Sequence, residues 1–191
     1  MIKDGMILWM INVLGLVFAG MDRFIIPAIA DKATLGTYYA MSFIFITGFT
    51  VIGSAVGYVL FPYLTQGKVI AWKKVIFFLI TVTTALLILL LLGGKYFTSL
   101  AFNGKYDFAL QFNIIVPLCF LGILQCAHTI IHFYIYAKSS NKALINYTFY
   151  LFLYCIGYYL SFFLLARIIE YSISSIILHI LILWCLKVII S

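Results

Sequence analysis

Residues 72–94 read Trp72-Lys73-Lys74-Val75-Ile76-Phe77-Phe78-Leu79-Ile80-Thr81-Val82-Thr83-Thr84-Ala85-Leu86-Leu87-Ile88-Leu89-Leu90-Leu91-Leu92-Gly93-Gly94. No residue from Val75 to Leu92 is charged, and two lysines and two glycines bracket the run. A bilayer core of about 30 Å takes about 20 apolar residues of helix. This run therefore predicts a transmembrane helix over about 72–93, and the rest of the chain can be read around it.

Similar runs lie on both sides. They predict helices over about 5–29, 36–64, 108–136, 143–166 and 171–190. Breakers separate them: Asp31-Lys32-Ala33-Thr34, then Gln66-Gly67-Lys68, Gly93-Gly94-Lys95, Lys138-Ser139-Ser140-Asn141-Lys142, and a tight turn at Arg167 and Glu170. Connections this short suit antiparallel neighbours. The expected fold is an all-α membrane protein, a bundle of about six transmembrane helices in a single domain over 1–191. The first run is read as a retained helix rather than a cleaved signal peptide. Asp4 weakens its positive flank, and apolar sequence resumes directly after Arg23.

Composition agrees. Hydrophobic residues make up 66% of the 191 residues and charged residues 9%. Soluble domains average about 45–50% apolar and about 25% charged. This excludes an ordinary soluble enzyme and a disordered adaptor. The net charge is +7, from 12 Lys and Arg against 5 Asp and Glu. The basic residues fall in the gaps between apolar runs, as membrane-flanking loops require, so nucleic acid is not expected as a partner. With the N-terminus placed in the cytoplasm, that side holds Lys3, Lys68, Lys73, Lys74, Lys138, Lys142 and Lys187. The other side holds Lys32, Lys95, Lys105 and Arg167. The bias puts both termini inside.

Polar residues within the apolar runs are the candidates for chemistry. Asp22 and Arg23 form an ionisable pair near a membrane helix, which is costly without water, a partner or an interface. Asn12 lies on the face of Arg23, since eleven residues at 100° return to within about 20°. The pair either meets an anionic head group or sits at the interface with Arg23 reaching outward. On the fourth helix Gln125, His128, Thr129, His132 and Tyr136 fall on one face. That stripe reads as a water-lined passage or as hydrogen bonding between helices. His128 and His132 have ligand spacing, but the HExxH glutamate is missing, so no metal is expected. Pro117 is placed to kink this helix. On the fifth helix Tyr147, Tyr150, Tyr154 and Tyr158 form a stripe that either contacts sugar rings or packs as ordinary aromatics. Gly53-Ser54-Ala55-Val56-Gly57 has GxxxG spacing, read as close packing inside the bundle or as a dimer face.

The four cysteines, Cys119, Cys126, Cys155 and Cys185, lie in apolar runs without a CxxC pair and read as packing residues. There is no GxSxG, no P-loop and no paired carboxylate, so no catalytic residue is assigned and an enzyme is not expected.

Several short motifs occur in a telling order. Met21-Asp22-Arg23-Phe24-Ile25-Ile26-Pro27 is followed by Leu35-Gly36-Thr37-Tyr38-Tyr39, then by Ala55-Val56 and Phe61-Pro62-Tyr63-Leu64. Asn103-Gly104-Lys105-Tyr106-Asp107 and Ala137-Lys138-Ser139-Ser140-Asn141-Lys142 sit at later loops. This order resembles the C-terminal half of bacterial polysaccharide flippases, the O-antigen or capsule repeat-unit transporters of the multidrug/oligosaccharidyl-lipid/polysaccharide superfamily. The resemblance implies one half of a MATE-like two-bundle transporter in the bacterial inner membrane. It implies an oligosaccharide linked to undecaprenyl pyrophosphate as substrate, alternating access, and an ion gradient as drive rather than a cofactor. It also implies a second transporter half as partner, with membrane lipids around both. The substrate contacts expected under this reading are Asn12, Asp22, Arg23, Gln125, His128, His132, Tyr147, Tyr150, Tyr154 and Tyr158. A drug or ion exporter of the same superfamily, or a membrane enzyme acting on lipid-linked sugars, is the alternative.

Overall fold

A computed structural model describes residues 32–106 and 112–166, with separate positions between 6 and 26 and between 180 and 185. Four helices run through the described part: α1 over Lys32–Thr65, α2 over Trp72–Phe102, α3 over Phe112–Lys138 and α4 over Asn141–Ala166. Each is long and apolar enough to cross a membrane. There is no strand among the described residues. The all-α membrane reading therefore stands for these four helices. The stretches about 5–29 and 171–190 fall largely outside the described residues.

Among the described residues, two boundaries differ from the sequence reading by more than two residues. α1 starts at Lys32, inside the expected breaker, because Lys and Ala are good helix formers and nothing there halts a helix. α2 does not stop at Gly93-Gly94-Lys95 but continues to Phe102. Mid-helix glycine costs only about 1 kcal/mol relative to Ala. Here Gly94 is buried, and the Thr98 hydroxyl, also buried, donates to the Gly94 carbonyl at 2.8 Å. The real stop is Asn103-Gly104. Asn103 adopts left-handed backbone, φ 49°, and the Gly104 amide donates back to the Ser99 carbonyl.

The other ends have chemical causes too. Past α1, the Lys68 amide reaches the Tyr63 carbonyl and the Gly67 amide the Leu64 carbonyl, with Gly67 at φ 69°. This paired pattern closes a helix, and only glycine enters it without a Cβ penalty. Ser140 caps α4: its Oγ accepts from the Ala143 amide at 3.4 Å. α3 continues through Pro117, which stands near its N-terminal end.

α1 and α3 form the centre. On α1, Tyr38, Met41, Phe45 and Phe49 are fully buried, and Leu60 and Leu64 nearly so. Spacings of three and four put them on one face. On α3, Ile114, Ile115, Leu118, Cys119, Leu121 and Cys126 face them. Lipid is as apolar as leucine, so this contact rests on close packing rather than on escape from water. Glycines make the fit. A Cβ on Gly53 would lie 2.9 Å from the Cys126 Cα and carbonyl oxygen, and one on Gly57 would enter the Phe133 ring. A Cβ on Gly122 of α3 would lie 2.6 Å from the Phe49 ring. Bulk on each helix thus enters a gap on the other. The Gly53–Gly57 patch packs inside the bundle, the first of its two readings.

These contacts advance together along both chains, so α1 and α3 run parallel. α2 returns antiparallel and touches α1 where Leu86 meets Gly48. The Trp72 and Tyr134 rings, 5.7 Å apart, bring the start of α2 to the last turn of α3. The ends of α1 and α3 and the starts of α2 and α4 therefore share one end of the bundle. It carries Lys68, Lys73, Lys74, Lys138 and Lys142, all exposed. The opposite end has Lys32 and Lys105, with Lys95 two turns inside α2.

Candidate functional site

The polar stripe of α3 is where the apolar bundle becomes unusual. His128 is buried, while Gln125, Thr129, His132 and Tyr136 are half-buried. The His128 and His132 rings lie 5.2 Å apart between centroids, one helical turn apart along the chain. His132 also packs on Tyr136 at 4.4 Å, the rings tilted by 39°, and meets the edge of Tyr147 on α4 at 5.6 Å. The four rings make one continuous cluster at the α3–α4 contact. Thr129 is turned to its own helix, donating to the Gln125 carbonyl at 2.8 Å.

A second apolar cluster holds this site in place. Ile11, Leu144 and Leu151 are buried together, and Leu14, Ile135, Tyr136 and Tyr147 pack on them. Gly15 completes the wall: a Cβ there would stand 3.5 Å from the His132 ring. The cluster is therefore bounded by α3, α4 and the N-terminal positions around Gly15. Gly15 was not among the residues singled out from the sequence. Its small size beside a run bearing Asn12 was the available signal.

The tyrosine stripe divides. Tyr147 belongs to the histidine cluster, Tyr154 donates its hydroxyl to the Leu183 carbonyl, and Tyr158 is buried in the main core. Tyr150 is 62% exposed. At 100° per residue, Tyr154 and Tyr158 lie within about 20° of Tyr147 on either side, whereas Tyr150 lies about 60° away from it. Of the sequence candidates, His128, His132 and Tyr147 come together and Gln125 lies on the same α3 face. Asn12, Asp22 and Arg23 lie outside the described residues.

No family model, no curated protein and no solved structure matches this chain.

The chemistry is that of the rings themselves. Imidazole both donates and accepts, and a tyrosine joins an apolar face to a polar tip. The cluster thus offers donors, acceptors and ring faces, and no carboxylate. Among the described residues there is no Asp or Glu, and no three His, Cys, Asp or Glu side chains gather as metal ligands do. Cys119, Cys126 and Cys155 are buried and unbridged, and Cys185 is half-buried. Between the N-terminal positions and α4, an open groove of about 570 Å³ is lined by Trp9, Met10, Val13, Leu14, Ile145, Thr148, Phe149 and Phe152. It is almost wholly apolar and lies one residue along the chain from Tyr147 and Gly15.

Proposed function

We propose that this chain forms one half of a transporter that moves undecaprenyl-pyrophosphate-linked oligosaccharide repeat units across the bacterial inner membrane, for O-antigen or another surface polysaccharide. The observation that carries the reading is the His128–His132–Tyr136–Tyr147 cluster. Ionisable side chains inside membranes are rare, and those that persist tend to mark substrate or ion pathways. The sugar hydroxyls find donors, acceptors and ring faces in this cluster. The resemblance of the Asp22-Arg23, Leu35-Gly36 and Pro62 motifs to repeat-unit flippases supplies the substrate class.

In this account the bundle has six helices, those around Ile11 and Leu183 joining the four described. A second bundle provides the other wall, and the two halves rock about the substrate. The lysine-rich end faces the cytoplasm, following the excess of basic residues there. That orientation also places both termini in the cytoplasm. Arg23 is assigned to the pyrophosphate, which a guanidinium matches through paired hydrogen bonds, and Asp22 to the same substrate end as the other member of the ionisable pair.

The test is deletion of the encoding gene in cells that carry the chain natively. Lipid-linked units are expected to accumulate with unchanged mass while surface polysaccharide falls. Normal polysaccharide with a new sensitivity to cationic drugs would replace this reading with a drug exporter. Lipid-linked units of altered mass would replace it with a membrane enzyme.

A further inference from the structure

The lysine-rich end carries a feature that transport does not require. Beside the Trp72–Tyr134 contact, a groove of about 300 Å³ opens between α2 and α3, lined by Trp72, Ile130, Ile131 and Tyr134. Its walls are aliphatic and aromatic over one turn of α3. Lys138 follows Tyr134 by four residues and so stands on the same face one turn nearer the end. Lys73 and Lys74 follow Trp72 directly at the start of α2. All three lysines are exposed. Lys68 and Lys142 add to the same end, with Lys68 over the Tyr63 ring at 5.3 Å.

We infer that this groove binds an anionic phospholipid, its phosphate among Lys73, Lys74 and Lys138 and part of one acyl chain against Ile130, Ile131 and the two rings. Charge complementarity selects this occupant. A zwitterionic lipid fills the apolar part equally well but gains little from three cations. A soluble anion gains the cations but nothing from the groove. Trp72 and Tyr134 fit the depth, since amphipathic rings settle at the level of the head groups. Basic pockets between membrane helices recognise lipid head groups through this pairing of cations with an apolar slot. The site depends only on the chain lying in a bilayer and is independent of what it transports.

Native mass spectrometry of the full chain in detergent, titrated with dioleoyl phosphatidylglycerol or dioleoyl phosphatidylcholine, tests the inference. Phosphatidylglycerol is expected to remain bound under conditions that strip phosphatidylcholine. Each lysine near an anionic lipid contributes about fivefold, so K73Q/K74Q/K138Q should weaken phosphatidylglycerol binding on the order of a hundredfold. K32Q/K105Q at the other end should leave it unchanged. Ile131→Trp, which fills the groove and keeps every charge, should also weaken it. All these positions other than Ile131 are exposed, and an unchanged melting temperature certifies the fold of each variant. Equal retention of the two lipids would overturn the inference. So would full binding by the triple variant or by Ile131→Trp, or an equal loss in K32Q/K105Q. Complete displacement by equimolar polyprenyl pyrophosphate would also overturn it, assigning the groove to that lipid.

Discussion

Gly53 of α1 lies directly on the backbone of Cys126 of α3. A Cβ at Gly53 would stand 2.9 Å from both the Cys126 Cα and its carbonyl oxygen. Backbone cannot rotate aside as a ring can, so Gly53→Ala must push the two central helices apart. Overpacking of this kind costs about 1–3 kcal/mol. The variant should melt earlier in detergent by tryptophan fluorescence. Gly157→Ala on α4 meets nothing within 4 Å and should be neutral or more stable, since alanine favours helix. Equal melting of the two variants would refute the close α1–α3 crossing.

The end of α2 makes a separate prediction. Asn103 holds φ 49°, a conformation that glycine and asparagine adopt and β-branched residues resist. Asn103→Gly should match or exceed the native melting temperature. Asn103→Val should lower stability by about 1–2 kcal/mol. Identical melting would mean that the helix does not stop there.

Topology follows from which termini share an end. Single cysteines replacing Lys68 and Ser140, in a chain cleared of its native cysteines, should resist an impermeant maleimide in intact cells and react after permeabilisation. One replacing Asn103 should react in intact cells. Labelling of Lys68 and Asn103 positions from the same side would break the alternation of α1, α2 and α3.

The uniform run around Leu86 and the breakers at Gly67 and Ser140 made the described helices legible in the sequence. Hydropathy is a property of each segment alone. Asn103-Gly104 was legible as a loop, but Gly93-Gly94 is the more obvious breaker, and only the burial of Gly94 and Thr98 shows why the helix passes through it. The Gly53–Gly57 spacing announced a close approach but not its partner, because the complement is Phe133 and the Cys126 backbone on a helix far along the chain. Spacing likewise placed His128 and His132 on one face. It could not show that Tyr147 joins them while Tyr150, three residues on, turns outward.

At the candidate site, packing and function separate by substitution. His132→Phe keeps an aromatic ring against Tyr136 and Tyr147 and should change stability by less than about 1.5 kcal/mol. His132→Ala loses both contacts and should cost about 2–4 kcal/mol. The phenylalanine variant should nonetheless lose transport, measured as surface polysaccharide in deletion cells supplied with it. Full polysaccharide from His132→Phe would reduce the histidine to a packing role.

Movement of a lipid-linked oligosaccharide between leaflets is read by periodate protection. Periodate that stays outside spheroplasts oxidises only sugars displayed in the outer leaflet. In cells lacking the chain, lipid-linked units should be protected. Restoring the native chain should expose them, and restoring His132→Phe should not. Units equally open to periodate with and without the chain would contradict the account.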